Sequence, residues 1–314
     1  MATTVARPIG GRPEDELLAA GEIGQWGLAW RRLRRHRLGL AGLVMLVAVF
    51  GLGYAAPLIA PYSPTEIDLF DQFGTSSAAH PLGTDELGRD ILTRLLYAGR
   101  ITLSVALVAT LFVNLIGVPL GALAAYQRGW LETVVMRLAD VFLALPTLLI
   151  LLIFSRMLRE MEGMKALFGT ENVSIVVMVL ILTIFGWMTV CRLVHGAVLS
   201  LREREFVEAA RALGTPANQI LLRHLVPNAI APILISATLG FGQRIIFEST
   251  LSFLGLGITP PHPSLGNMLS EAQGYMFRNA WLAVYPGVVI FLVVLAVNFL
   301  GDALRDALDP RAKG

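Results

Sequence analysis

Apolar residues gather into six runs, 38–59, 101–125, 134–154, 173–190, 229–247 and 281–300, divided by polar stretches of very unequal length. Each run holds about the twenty residues that a helix needs to cross a hydrocarbon layer. The pattern predicts an all-α chain with six membrane-crossing helices. It divides the sequence into a polar N-terminal segment (1–37), a first span with a long loop (38–100), a five-helix core (101–304) and a short tail (305–314). The first run is longer than the apolar part of a secretory leader and follows an extended polar segment, so it reads as an uncleaved anchor.

Composition agrees with this reading. At 314 residues, the chain is 55% hydrophobic and only 15% charged, with a mean hydropathy of +0.66, too apolar for an ordinary soluble domain of that length. A net charge of +2 says little, but its distribution is informative. Arg31, Arg32, Arg34, Arg35 and Arg37 cluster just before the first run, the signature of a cytoplasmic flank. With an even number of spans, both termini then fall in the cytoplasm, together with Arg128, Arg137, Arg202, Arg204, Arg211, Arg223, Arg305, Arg311 and Lys313. Loops 60–100 and 251–280 fall outside. Trp26 and Trp30 beside the arginines predict a short helix in the membrane interface. The single cysteine, Cys191, excludes an intramolecular disulfide and a cysteine metal cluster.

The largest polar excursion on the cytoplasmic side is 205–228, EFVEAARALGTPANQILLRHLVPN. Phe206, Ala209, Ala210 and Leu213 recur at helical spacing and predict one small apolar stripe. Gly214 stands where a C-terminal cap belongs, Thr215 is placed as the next N-cap, Pro216 as the first helical residue of a second arm, and Pro227 as its end. Helix, tight turn and helix result. The alanines permit close approach by another protein, and Glu208 on the flank can accept hydrogen bonds from it. From periodicity alone an ordinary loop with two interfacial helices fits equally well. A DNA-reading helix-turn-helix fits poorly, because spans tether both ends.

Among polar residues in or near the spans, Asn114, Asp140, Arg244, Glu248, Asn298 and Asp302 must face protein or water. Arg244 and Glu248, four apart, form a candidate ion pair, as do Arg137 and Asp140. Gln243, Arg244 and Glu248, with Gly240 and Gly242, are candidate linings of a translocation path. Gly117, Pro119, Gly121 and Pro146 predict kinks or close helix packing. His80, Asp85, Glu86 and Asp90 lack diagnostic ligand spacing and read as capped turns and a helix start, with Asp85 and Glu86 at the helix N-terminus, so no metal site is expected. No catalytic arrangement stands out, and His195, His224 and His262 fall on different sides.

The series Glu208, Ala209, Ala210, then Gly214, then His224 and Val226–Pro227 resembles the EAA motif of ABC importer permeases. The family's closing Ile and Leu are replaced by His224 and Val226, a form similar to the peptide and nickel branch. HPLGTDELGRDILTRLLYAGR, LSFLGLGITPP and LGDALRDALDP resemble further stretches of that branch in order, with Leu265 where many members carry Trp. The resemblance implies a type I ABC importer permease fold in the inner membrane. It makes Phe206, Glu208, Ala209, Ala210, Arg211 and Gly214 the coupling surface for separate ATPase subunits. It also implies a second homologous permease and an external binding protein as partners, with ATP and Mg used by the ATPases and no cofactor in this chain. Di- or oligopeptides are the leading cargo; nickel complexes, glutathione-like peptides and oligosaccharides stay open. The chain has no GxxxxGK[ST] loop, so an ATPase site is not expected in it. An ion-coupled secondary transporter using Asp140 and Glu248, or a membrane scaffold, are the rival classes.

Overall fold

The structure, a computed structural model, describes residues 25–308; segment 1–24, the Trp26 side chain and the tail with Arg311 and Lys313 lie outside the described residues. Thirteen α-helices follow one another: α1 Gln25–Arg35, α2 Arg37–Ile59, α3 Ile91–Gln127, α4 Gly129–Leu143, α5 Thr147–Glu160, α6 Glu162–Ile184, α7 Trp187–Leu201, α8 Glu205–Ala212, α9 Ala217–Gln219, α10 Val226–Asn228, α11 Ile230–Phe253, α12 Leu265–Gln273 and α13 Trp281–Leu308. A π-helical turn, Ile220–Leu225, joins α9 to α10. Among the described residues there is no strand, only an isolated bridge between Thr84 and Asp90.

Among the described residues, five helical stretches are long and apolar enough to cross a membrane singly, α6 and α7 counting together as one. The expected third span is different. It is split into α4 and α5, bent by 91° at the break. Pro146 explains this: it lacks an N–H and stands as the N-cap of α5, with an extended backbone. Run 173–190 is likewise interrupted at Phe185 and Gly186. Span ends moved too. α3 begins ten residues before its apolar run, so the boundary at 100 cuts a helix, and α13 runs on to Leu308.

Glycines set the closest helix contacts. α3 lies along α7, where a Cβ on Gly117 would come within 2.8 Å of the Trp187 carbonyl oxygen and one on Gly121 would strike that of Cys191. Small residues four apart let two backbones approach, which is how helices associate where no water drives them together. Pro119 lies within the continuous α3. α2 meets α13 in the same way at Gly42, whose added Cβ would sit 2.5 Å from the Ala296 carbonyl oxygen. Within the spans, the hydroxyls of Thr110, Thr183 and Thr238 donate to carbonyls four residues earlier, and Asn114 Nδ2 donates to Thr110 O, satisfying groups that lipid cannot.

At the end remote from the hairpin, a brace of charges ties loop 60–90 to α12. Arg89 contacts Asp85, Glu86 and Glu271 at 2.7–3.0 Å, and Arg94 contacts Asp85 and Glu271. Asp90, not Asp85 or Glu86, caps α3, accepting from Thr93 N while His80 Nδ1 lies 3.0 Å away. Asp85, Glu86 and Glu271 converge closely, but Arg89 and Arg94 fill the space between them.

Burial, and then the Asp85 charge, push the Glu86 carboxyl above its ordinary range. The folded protein therefore holds that proton more tightly than the unfolded chain, so ionised Glu86 opposes folding at neutral pH. The opposition vanishes once acid protonates both states. Glu86→Gln is expected to raise the thermal unfolding midpoint of the detergent-solubilised protein at neutral pH, with the gap closing in acid. A lower midpoint at neutral pH would mean that the Arg89 contact outweighs burial.

Candidate functional site

The hairpin forms as its residues dictate, with the stripe divided between two faces. α8 ends at Ala212 with Leu213 as its C-cap, and Gly214 follows at φ 74°, a conformation costly for any residue with a Cβ. Gly214 N donates to Arg211 O, and Thr215 N to Ala210 O, the paired bonds of a Schellman cap. Pro216, not Thr215, is the N-cap of the second arm. Pro227 does not end that arm, since helix resumes on both sides of it. Having no N–H for the carbonyl four residues back, Pro227 is instead accommodated by the widened π turn.

Val207 and Ala210 face inward, in a core with Val194, Val198, Ile220, Leu225 and Ala229. Ala210 is therefore a packing residue, whereas Phe206 (40% exposed), Ala209 and Leu213 (86%) form an outward apolar stripe beside exposed Glu208. The base of the hairpin is fastened to the end of α3. Arg202 donates to the Ala125 and Tyr126 carbonyls at 3.1 and 2.9 Å, capping that helix. Arg128 pairs with Glu203 at 3.1 Å, and the Arg211 guanidinium lies 5.6 Å from the Tyr126 ring centroid. Sequence reasoning missed Arg202 and Tyr126; a cation twelve residues past one apolar run and an aromatic at the end of another gave only a weak signal.

A cavity of about 620 Å³ opens between α4, α5, α6, α7, α11 and α13. Its wall is apolar for the most part, from Leu151, Phe185, Leu239 and Phe247, with Thr147, Thr189, Ser236 and Gln243 as polar points. Of the candidate path residues, Gly240, Gln243 and Arg244 lie on this wall; Gly242 and Glu248 do not. The expected Arg244–Glu248 pair is also absent among the described residues. Glu248 is fully buried and accepts from Ser252 Oγ at 2.8 Å and Ser249 Oγ at 3.4 Å, with Thr102 and Ser264 also bonded to it. Arg137 likewise loses Asp140, which pairs at 3.2 Å with Arg192 of α7. The histidines are dispersed: His195 meets Glu132 at 2.8 Å, and His262 meets Asn172 at 3.1 Å.

Residues 117–314, which contain the hairpin and the whole cavity wall, match the family of binding-protein-dependent transport system inner membrane components. The chain belongs to this family. Residues 24–79 of the permease match the N-terminal TM domain of oligopeptide transport permease C. Among its relatives, a dipeptide transport system permease protein of Alkalihalophilus pseudofirmus is 36% identical, over 96% of this chain and 94% of that one. A glutathione transport system permease protein of Pectobacterium atrosepticum is also 36% identical, over 92% of each. The fold matches that of a methionine ABC transporter in an inward-facing conformation, with TM-score 0.56 and 24% identity over 69% of this permease and 96% of that chain. The permease is thus a multi-pass inner-membrane protein with the helical fold of an ABC importer permease.

Proposed function

We propose that this chain is one half of the translocation path of an ATP-driven importer of di- or oligopeptides. Its hairpin docks on a separate ATPase subunit, and both termini and the hairpin face the cytoplasm. The observation that carries this reading is the outward stripe of Phe206, Ala209 and Leu213 beside Glu208, mounted on a hairpin bonded to α3. Loops have no reason to expose apolar side chains on a capped, anchored helix unless something covers them. ATPase closure would pull on α8, and Arg202, Glu203 and Arg211 would pass that pull to α3 as rigid-body motion between inward-open and outward-open states. ATP and Mg would be bound by the ATPases, with no cofactor in this chain. A second homologous permease would complete the path, and an external binding protein would meet loops 60–90 and 258–278.

The peptide assignment is supported by the dipeptide and glutathione permeases among the relatives; nickel complexes and oligosaccharides are the alternatives. Ion coupling is disfavoured by the fixed partners of the two acids it would need, Asp140 with Arg192 and Glu248 with its hydroxyls. Liposomes holding the chain with its second permease, ATPases and binding protein should take up a labelled dipeptide only with ATP. Uptake by this chain alone, driven by an ion gradient, would refute the proposal.

A further inference from the structure

We infer that Arg244 is the carboxylate-binding residue of the cavity, holding a free carboxylate on the cargo as it passes; this rests on the reading of the chain as a peptide permease. Arg244 is only 7% exposed, yet among the described residues its guanidinium has neither a hydrogen bond nor an ion pair, and Nε is wholly unpartnered. A buried cation without a partner is costly in a membrane interior, and such residues mark the paths of substrates. The acids that could neutralise it are otherwise engaged or apart. Glu248, one turn along α11, is held by four hydroxyls, and Asp140 by Arg192. Asp302 shares the cavity wall but is exposed and forms no pair with Arg244.

The space around the guanidinium is built for it. A Cβ on Gly240 would come within 2.5 Å of Nη1, and one on Gly186 within 3.2 Å of Nη2. Two positions without side chains, one on α11 and one at the α6–α7 break, thus leave room for a planar fork at the cavity wall. Such a fork matches the two oxygens of a carboxylate. At about 620 Å³ the cavity is of a size that takes a small organic molecule, and Thr189, Ser236 and Gln243 add neutral hydrogen-bonding groups to its apolar wall. The carboxylate can be a peptide's C-terminus or an acidic side chain.

The complete importer in liposomes tests this, with the binding protein saturated and uptake measured for dialanine, dialanine amide and aspartyl-alanine amide. The other components are the same throughout, so their own preferences cancel when variants are compared. Arg244→Gln should lower the ratio of dialanine to dialanine amide uptake at least about tenfold, as loss of a charge-assisted pair predicts. Arg244→Lys should lower it less. If aspartyl-alanine amide falls alongside dialanine, either carboxylate serves; if only dialanine falls, the C-terminus is the ligand. Should Arg244→Gln stop all uptake, Gly240→Ala, which displaces the guanidinium while keeping its charge, should shift the same ratio.

An unchanged ratio in a wild-type-like, peptide-importing complex overturns the assignment to Arg244. So does an equal fall for all cargoes with less second permease recovered in the complex, because Arg244 would then hold a neighbouring helix. A wild-type complex that imports no peptide with ATP overturns the peptide reading and this assignment with it.

Discussion

Glu208→Lys is expected to lower ATP-dependent uptake by the assembled importer at least about tenfold, the scale of one lost charge-assisted contact plus like-charge repulsion, while the variant chain inserts and folds normally. The reasoning turns on what Glu208 does not do. It is exposed and, among the described residues, has no side-chain partner, so within this chain its charge serves only the dipole of the short helix α8, in whose first turn it stands beside Glu205. Exposed substitutions away from caps and networks change stability by about half a kcal/mol or less. A large functional loss can then arise only at a surface that another protein covers. Phe206 and Ala209 flank Glu208 on the outer face, so the reversed charge would enter the middle of that contact. Val207→Asp provides the contrast, placing a charge in the inner core of the same helix and lowering the yield of folded protein. If Glu208→Lys leaves uptake by the full complex unchanged, the hairpin is not the coupling element.

The sequence was most legible where one physical requirement dominates. Five of six spans were visible because lipid demands long apolar runs. The exception, 134–154, satisfies the same composition while Pro146 bends it through 91°; apolarity reports length in the membrane and not direction. A helix start near Asp85 and Glu86 was legible, but not that this helix runs unbroken into the span, because Thr93 and Arg94 are polar residues buried by loop and α12 contacts, which a hydropathy pattern reads as exposed. In the hairpin, Gly214 and the two-helix form followed from local rules, but the facing of Ala210 did not. The spacing of Phe206, Ala209, Ala210 and Leu213 spans both faces of a short helix, and Val207 decided which way it packs.

The Arg244–Glu248 pair failed for a related reason. Four-residue spacing brings two side chains within reach of each other, but it is silent about competitors from elsewhere in the fold. Thr102 of α3 and Ser264 at the head of α12, together with Ser249 and Ser252, surround Glu248. The acid is thereby drawn into the packing between helices, and the cation is left at the cavity. The pairing error and the exposed functional feature have one origin: tertiary partners that no local pattern encodes.

The same consideration makes the charge brace a sharp test of the fold. Arg94→Met should destabilise the folded protein by about 3–5 kcal/mol, the cost of breaking a buried ion pair by removing one partner, and should expose loop 60–90 to protease. Arg94 is 5% exposed and Asp85 3%, and Arg94 Nη1 lies 2.5 Å from Asp85 and 2.8 Å from Glu271. Met fills much of the same volume, so the loss would be electrostatic and not a cavity. Asp85 would remain buried with Arg89 alone to neutralise it, while Arg89 also serves Glu86 and Glu271. Adding Asp85→Asn should therefore recover part of the loss, because the amide oxygen can still accept from the Leu87 and Arg89 backbone N–H groups and no surplus charge is left inside. Thermal midpoints of the two single variants and the double variant in detergent give the coupling directly. Single-variant losses that simply add in the double would mean that Arg94 supports the loop by packing alone, and the brace would then not be electrostatic.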